Sequence, residues 1–316
     1  MFSESREIRN FFNKQRVRNV KIQLLGTGTP TPSTKRKSSG YMVEVGDDTI
    51  LFDHGPGSYH RMLEAQKKPT AITHLFFTHL HYDHFSDYGT LVLTRWDQGA
   101  GTIPDLLVYG PEPLRRLTNL LFAEDGVYGP DLMARTNMPG SLAFYQARGG
   151  TLPRKRPEPQ VQEIKSGDTV RGTNWTIRTV HAAHAQPYLV CNAYRLDCAE
   201  GSFVYSGDTG PSKVVTNLAK DCDVLVHMCH YISGTLKPPM DVTTLRSTTG
   251  HLELARVAQE ANVKNLVVTH VTESIDVPGV RERVISQMSE IYKGNLFFGE
   301  DLMTIPIRGP AIRKLD

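Results

Sequence analysis

The run Ala71-Ile72-Thr73-His74-Leu75-Phe76-Phe77 passes directly into Thr78-His79-Leu80-His81-Tyr82-Asp83-His84. The first seven residues are largely apolar and have the length of a buried strand. The next seven place three imidazoles and a carboxylate together at that strand's end. Polar groups gathered there need partners, and one divalent cation can partner all of them. Neutral imidazole with carboxylate suits zinc, which binds histidine nitrogen at about 2.0–2.1 Å. The competing reading is a chance histidine-rich loop, and residues further along decide against it. His184 follows the strand-like Trp175–His181. Asp208 lies in Ser206-Gly207-Asp208-Thr209-Gly210, where the glycines let the backbone turn and bring a carboxylate close to a metal. His270 ends the run LVVTH.

Outward from this loop, residues 20–26, 41–45 and 49–53 read as strands, followed by a helix from Ser58 to about Lys67. A strand at 106–109 leads to a helix over 111–124. In the second half, Trp175–His181 and residues 189–196, 203–206, 223–227 and 266–269 are strand-like, while 250–261 and 278–292 look helical. Strands and helices alternate in both halves without a linker. The expectation is an α/β fold, a four-layer αββα sandwich forming one domain over residues 1–316. Residues 125–160, rich in Gly, Pro and Arg, show little pattern and read as a functional loop, a lid or a dimer arm. Within them Arg154, Lys155 and Arg156 suit a solvated surface better than an anion site.

With 316 residues, 39% hydrophobic and 22% charged, the chain can bury a sizeable core. A formal charge of +3 is too small to imply a nucleic-acid or membrane partner by itself. No stretch approaches the roughly 20 apolar residues of a membrane helix, so no membrane partner is expected. The polar opening MFSESREIRNFFNKQRVRN lacks a signal core and points to the cytoplasm, with a mature exported N-terminus as the alternative. Cys191, Cys198, Cys222 and Cys229 form no CxxC pair and read as buried free thiols.

The order HxHxDH, then His, then Gly-Asp, then a last His resembles the metallo-β-lactamase superfamily over most of the chain. That resemblance implies one or two zinc ions per chain. It assigns His79, His81 and His184 to one ion, Asp83, His84 and His270 to the other, and Asp208 to a bridge between them. Asp83 is carried as a catalytic residue as well. His181 competes with His184, but the PYLVCNAYRL that follows is similar to the strand after the ligand in relatives and selects His184. Asp53 and His54 in LFDHGPG resemble the family's buried turn. Asp53 is expected to orient a ligand or the loop, and His54 to lie near the metal or serve structure.

LGTGTPTPS, SGDTGP and GHLELARVAQEANVKNLVVTH resemble the ribonuclease Z branch, which trims tRNA 3′ ends. The histidine corresponding to His251 helps proton transfer there, so His251 is a second catalytic candidate; a helix-start histidine without a role is the alternative. Three features depart from that branch. Met228 stands where the branch has a glutamate that supports this histidine, and a thioether cannot accept a strong charge-assisted bond. PSTKRKSS lacks the Lys-x-Arg-Asn ending. Only 23 residues lie between His184 and Asp208, too few for the branch's tRNA-gripping arm. The 125–160 segment is similar to that of ribonuclease Z-like hydrolases of small molecules, among them chlorothalonil hydrolytic dehalogenases. The expectation is a zinc-dependent hydrolase, as a homodimer, acting on a small organic substrate such as an ester, lactone or activated aryl halide. A tRNA 3′ endonuclease or phosphodiesterase stands second, with nucleic acid as partner, and a non-catalytic metal-binding scaffold third. Tyr82, Trp96, Phe144 and Tyr145 either line an apolar pocket or belong to the core.

Overall fold

In β3 (Asp48–His54) successive side chains enter different cores. Ile50 and Phe52 face one and Leu51 the opposite one, as the two-residue period of a strand requires. Such a strand is apolar on both faces because both are covered. The structure, a computed structural model, describes residues 20–308. Before β3 come β1 (Lys21–Gly26) and β2 (Gly40–Val45); after it come β4 (His74–Phe76), β5 (Leu107–Gly110) and β6 (Gln160–Glu163). The second half holds β7 (Thr169–Arg171), β8 (Trp175–His181), β9 (Asn192–Cys198), β10 (Gly201–Tyr205), β11 (Val224–Met228), β12 (Asn265–Thr269) and β13 (Asn295–Phe298); β14 (Thr304–Pro306) returns to the first sheet.

One sheet has the order β14-β1-β2-β3-β4-β5-β6 and the other β13-β12-β11-β10-β9-β8-β7. Each begins as an antiparallel meander and becomes parallel, from β3 to β6 in the first and from β10 to β13 in the second. Between the sheets Phe52 meets Phe76, Tyr194, Phe203 and Tyr205 with ring centroids 5.3–6.5 Å apart. Outside the first sheet, Met62, Leu91, Leu114 and Phe122 pack on Leu51, Leu75 and Val108. They come from helices Ser58–Glu64, Tyr88–Gly99 and Leu114–Phe122. Outside the second, Val215, Leu254, Ala258, Val284 and Met288 pack on Val204, Leu225 and Leu266. Those belong to helices Lys213–Leu218, His251–Glu260 and Val280–Ile291. The layers are αββα. Cys191, Cys222 and Cys229 are buried free thiols and Cys198 is half-buried. Among the described residues no helix is long and apolar enough to cross a membrane.

The run 71–77 is strand only at His74–Phe76, because Pro69 opens a short 3₁₀ turn over Pro69–Ala71. The strand expected from 189 begins at Asn192, after a loop that contains Pro187. The expectation of a patternless 125–160 fails. The segment carries helices Gly129–Asn137 and Pro139–Ala147, each with a proline in its first turn. Few apolar side chains anchor them, and salt bridges and stacking take over. Asp97 accepts bonds from Arg154 at 2.8 Å, Arg148 at 2.8 Å and Arg135 at 3.5 Å. The Arg154 guanidinium lies 3.9 Å from the Trp96 ring centroid and 5.0 Å from that of Tyr145. Arg154 is thus a buried clamp instead of solvated surface. Burial alone would raise the Asp97 carboxyl, but Arg154 and Arg148 hold it below the usual carboxylate range. Asp97→Ala should lower stability by about 2–3 kcal/mol, since it strands a buried guanidinium. Denaturant unfolding measures the loss, and limited proteolysis should find new cuts within 125–160.

Candidate metal centre

The site forms at the carboxyl ends of strands from both sheets, where open α/β sheets bind ligands. β4 leads to the loop 78–84, β8 to His184, β10 to Asp208 and β12 to His270. Two glycines allow the loops to touch. A Cβ on Gly55 would stand 1.8 Å from the Asp83 carbonyl oxygen. Gly207 has φ 56°, and a Cβ there would meet Thr78 Cβ at 2.8 Å. The Asn192 N–H donates to the Thr78 carbonyl at 2.8 Å, tying the second sheet to the loop of the first.

Three groups of donors result: His79, His81 and His184; His79, His84 and Asp208; Asp83, His84 and His270. Within each group the donor atoms lie within 4.8 Å of one another. Asp208 Oδ2 stands 3.2 Å from His270 Nε2, 3.5 Å from His84 Nε2 and 3.7 Å from His184 Nε2, between the two sets. Asp83 Oδ2 is 3.4 Å from both His84 Nε2 and His270 Nε2. His84 Nε2, Asp208 Oδ1 and His270 Nδ1 are buried and have no hydrogen-bond partner among the described residues. Orphaned buried polar atoms are costly. Imidazoles and carboxylates converging in this way fit divalent metal ions.

Other residues aim the ligands. Asp53 accepts from the Thr78 N–H at 2.7 Å, the Thr78 hydroxyl at 2.8 Å, the Tyr205 hydroxyl at 2.8 Å and His84 Nδ1 at 2.7 Å. His184 Nδ1 donates to the Ser247 carbonyl at 2.7 Å. Such partners fix tautomer and ring orientation. Asp53 and His270 are non-glycine residues in the left-handed region, with φ 56° and 51°. Local strain of this kind collects at functional sites. Burial lowers the His79 and His81 imidazoles, helped by the charges of His84 and His184 respectively, so both are neutral donors. Burial would also lower His84, but Asp208 and Asp53 outweigh it and raise the ring well above its usual value. Burial pushes the Asp208 and Asp83 carboxyls up, yet the neighbouring His270 and His84 hold both down.

The seven side chains assigned from the resemblance therefore come together, and Asp53 stands behind them. His181 is exposed at the end of β8. His54 is buried outside the donor groups, with Nδ1 2.9 Å from Ser58 Oγ. His251 belongs to none of the donor groups; its Nδ1 accepts the Ser233 N–H at 3.0 Å and Nε2 lies 2.8 Å from Gln287 Oε1. Met228 is buried, and its sulfur receives the Thr209 N–H at 3.0 Å. Trp96 and Tyr145 belong to the Arg154 clamp, Phe144 is exposed, and Tyr82 donates its hydroxyl to the Pro30 carbonyl. Sequence reasoning passed over Ser247 and Tyr205, whose roles depend on chain-distant contacts without a local signal. It also gave no role to His230, whose ring centroid lies 5.7 Å from that of His270.

Two outcomes are expected. Asp53→Ala should weaken metal affinity about 10–100-fold, read by titration against a competing chelator. The second concerns acid stability. Burial lowers His227 to about 4 and His54 to about 3, so both are neutral in the fold. Unfolded imidazoles titrate near about 6.5, so below that pH the unfolded chain binds more protons. Stability should fall as the pH drops from about 6.5 towards 4, by up to about 1.4 kcal/mol per pH unit for each ring. His227→Asn should flatten that slope by one ring's share in urea unfolding of the chelator-treated protein.

The metallo-beta-lactamase superfamily description matches residues 34–270. The chain is 27% identical over 290 residues to the Ribonuclease Z of Mycobacterium sp. (strain KMS), covering 91% of this chain and 96% of that one. Among solved structures, the metallo-β-lactamase fold protein YhfI from Bacillus subtilis aligns with a TM-score of 0.67 and 17% identity, covering 90% of this chain and 98% of that one. The short form of human tRNase Z aligns with a TM-score of 0.63 and 20% identity, covering 91% and 99%. At those identities the two structures speak for the fold alone. With the family match running from the loop before β2 to His270, this chain belongs to the metallo-β-lactamase superfamily and is a metal-dependent hydrolase with ribonuclease Z-like relatives.

Proposed function

We propose that this hydrolase cleaves phosphodiesters, with RNA as the substrate class and zinc as the metal held by His79, His81, Asp83, His84, His184, Asp208 and His270. The observation that carries the reading is the likeness to Ribonuclease Z along 91% of the chain. It reverses the order of expectation from sequence, which set small organic substrates first. Residues 20–308 act here as one catalytic unit, because ligands from both sheets share one cluster. The 125–160 segment is read as a lid or dimer arm, with Met133, Met138 and Phe144 exposed on it.

A bound pair of divalent ions supplies an acidified water and positive charge for a developing oxyanion. The chain's own residues provide the placement. Asp53 and Ser247 hold the His84 and His184 rings in orientation. Asp208 sets the two donor sets in register, and Asp83 adds a buried carboxylate beside His84 and His270. Burial of the cluster keeps these electrostatic contacts strong.

A second reading, turnover of an activated ester, lactone or aryl halide, is favoured by Met228 and His251. Thr209 occupies the Met228 sulfur, and Ser233 and Gln287 occupy the His251 ring. An acid for a poor alkoxide leaving group is therefore missing where the ribonuclease branch holds one, and a good leaving group needs none. The β9–β10 hairpin lies between His184 and Asp208, where that branch carries its arm. A donor set this complete speaks against a non-catalytic scaffold.

The test sets zinc-loaded protein against precursor tRNA with a 3′ trailer, bis(p-nitrophenyl) phosphate, and activated aryl and acyl compounds. Phosphodiester cleavage that a chelator abolishes and zinc restores is expected. Turnover of the aryl or acyl compounds with both phosphodiesters untouched would overturn the proposal in favour of the second reading.

A further inference from the structure

We infer that His230 is the histidine that contacts substrate in this site, donating an N–H hydrogen bond to a phosphoryl oxygen of the bound diester. The inference rests on the phosphodiesterase reading above. His230 lies two residues beyond β11, the strand between β10, which leads to Asp208, and β12, which leads to His270. Its ring is tilted 32° from that of His270, with centroids 5.7 Å apart. The backbone is fixed on both sides: the His230 N–H donates to the Thr249 carbonyl at 2.8 Å, and its carbonyl accepts from the Thr272 hydroxyl at 3.1 Å. The ring is therefore held beside the cluster by its own main chain.

Among the described residues neither ring nitrogen makes a hydrogen bond. Nδ1 is buried without a partner among the described residues, while the residue as a whole is half-buried. The other histidines outside the donor groups that are buried near this end are engaged through at least one ring nitrogen. His227 Nδ1 donates to the Met228 carbonyl at 2.9 Å, and His251 uses both nitrogens. His54 uses Nδ1 while its Nε2 is buried without a partner among the described residues, and of these two rings His230 is the one set beside a donor-group histidine, His270. An imidazole carries at least one N–H in either tautomer, and a buried donor without an acceptor costs free energy. A ring positioned beside metal ligands with an unspent donor is suited to an anionic oxygen brought there by substrate. The neighbouring His251, engaged with Ser233 and Gln287, instead ties the 231–233 segment to helix Val280–Ile291.

The experiment compares the zinc-loaded native protein with His230→Ala and His230→Asn. Three quantities are read: zinc per chain, the calorimetric Kd for inorganic phosphate, and KM and kcat on bis(p-nitrophenyl) phosphate. Expected for His230→Ala is full zinc content with phosphate Kd and KM raised about tenfold or more, the effect of losing one hydrogen bond to a charged group. His230→Asn, whose amide restores a donor, should recover part of that loss. Unchanged phosphate affinity and KM in His230→Ala at full zinc would overturn the inference. So would zinc loss in His230→Ala, which would make the ring a support of the metal, or a native protein that binds no phosphate. Native turnover judges the phosphodiesterase reading, whereas the difference in phosphate affinity between variants judges His230, so the two fail separately.

Discussion

The carboxylate of Asp53 is the constraint on which the site depends. It is fully buried and accepts four hydrogen bonds, two from Thr78, one from Tyr205 and one from His84. An ionised carboxylate without water is tolerated only when its oxygens are satisfied in this way. Each donor belongs to a different function. Thr78 begins the ligand loop, His84 is a ligand candidate, and Tyr205 ends β10 in the opposite sheet. Burial raises the Tyr205 hydroxyl well above its usual value, and the charge of Asp53 adds to this, so Tyr205 stays a donor. One side chain thereby locks the two sheets together where the ligands must meet. The left-handed backbone at Asp53 is the local cost of aiming the carboxylate inward.

The topology follows from the same need. Strands buried on both faces have no room for charge along their length, so ionisable groups collect at their tips. β4 and β12 have buried, largely apolar middles; Phe77 and then Thr78–His84 follow the carboxyl end of β4, and His270 follows that of β12. Because both sheets run parallel in their later strands, tips of the same polarity lie at one end of the sandwich. Asp208, after β10, is then within reach of His84 from the first half and His184 and His270 from the second.

The cluster was legible in sequence because its signals are local: ligand residue types directly after apolar runs, and glycine where backbones cross. The choice of His184 over His181 needed more than periodicity, since both end the same strand region. What escaped was set by contacts distant in the chain. The 125–160 helices announce themselves only through Pro130 and Pro139. Their anchorage on Asp97 joins residues some 38 to 57 positions apart. Arg154 looked like surface because composition does not reveal a carboxylate and two aromatic rings waiting across the fold. His251 is a catalytic candidate by its neighbours in sequence, and its hydrogen bond to Gln287, 36 residues later, could not be read there.

One of the three departures from the ribonuclease pattern, Met228, lies at the tip of β11. Met228, which the resemblance sets in the position of a supporting glutamate, faces Thr209 beside the Asp208 carboxylate, and His230 faces His270 two residues later. Neither belongs to the donor groups. Changes at this tip therefore leave the side chains of the donor groups themselves in place. Removing a glutamate beside a histidine takes away a charge-assisted partner, and in this chain that histidine, His251, is turned to Gln287 and joins the packing of helix Val280–Ile291. An imidazole two residues along, its backbone pinned by Thr249 and Thr272, stands beside His270 with Nδ1 unpartnered among the described residues. The donor groups and the tip of β11 are thus distinct parts of one region, since Met228 and His230 stand beside the donor groups without belonging to them.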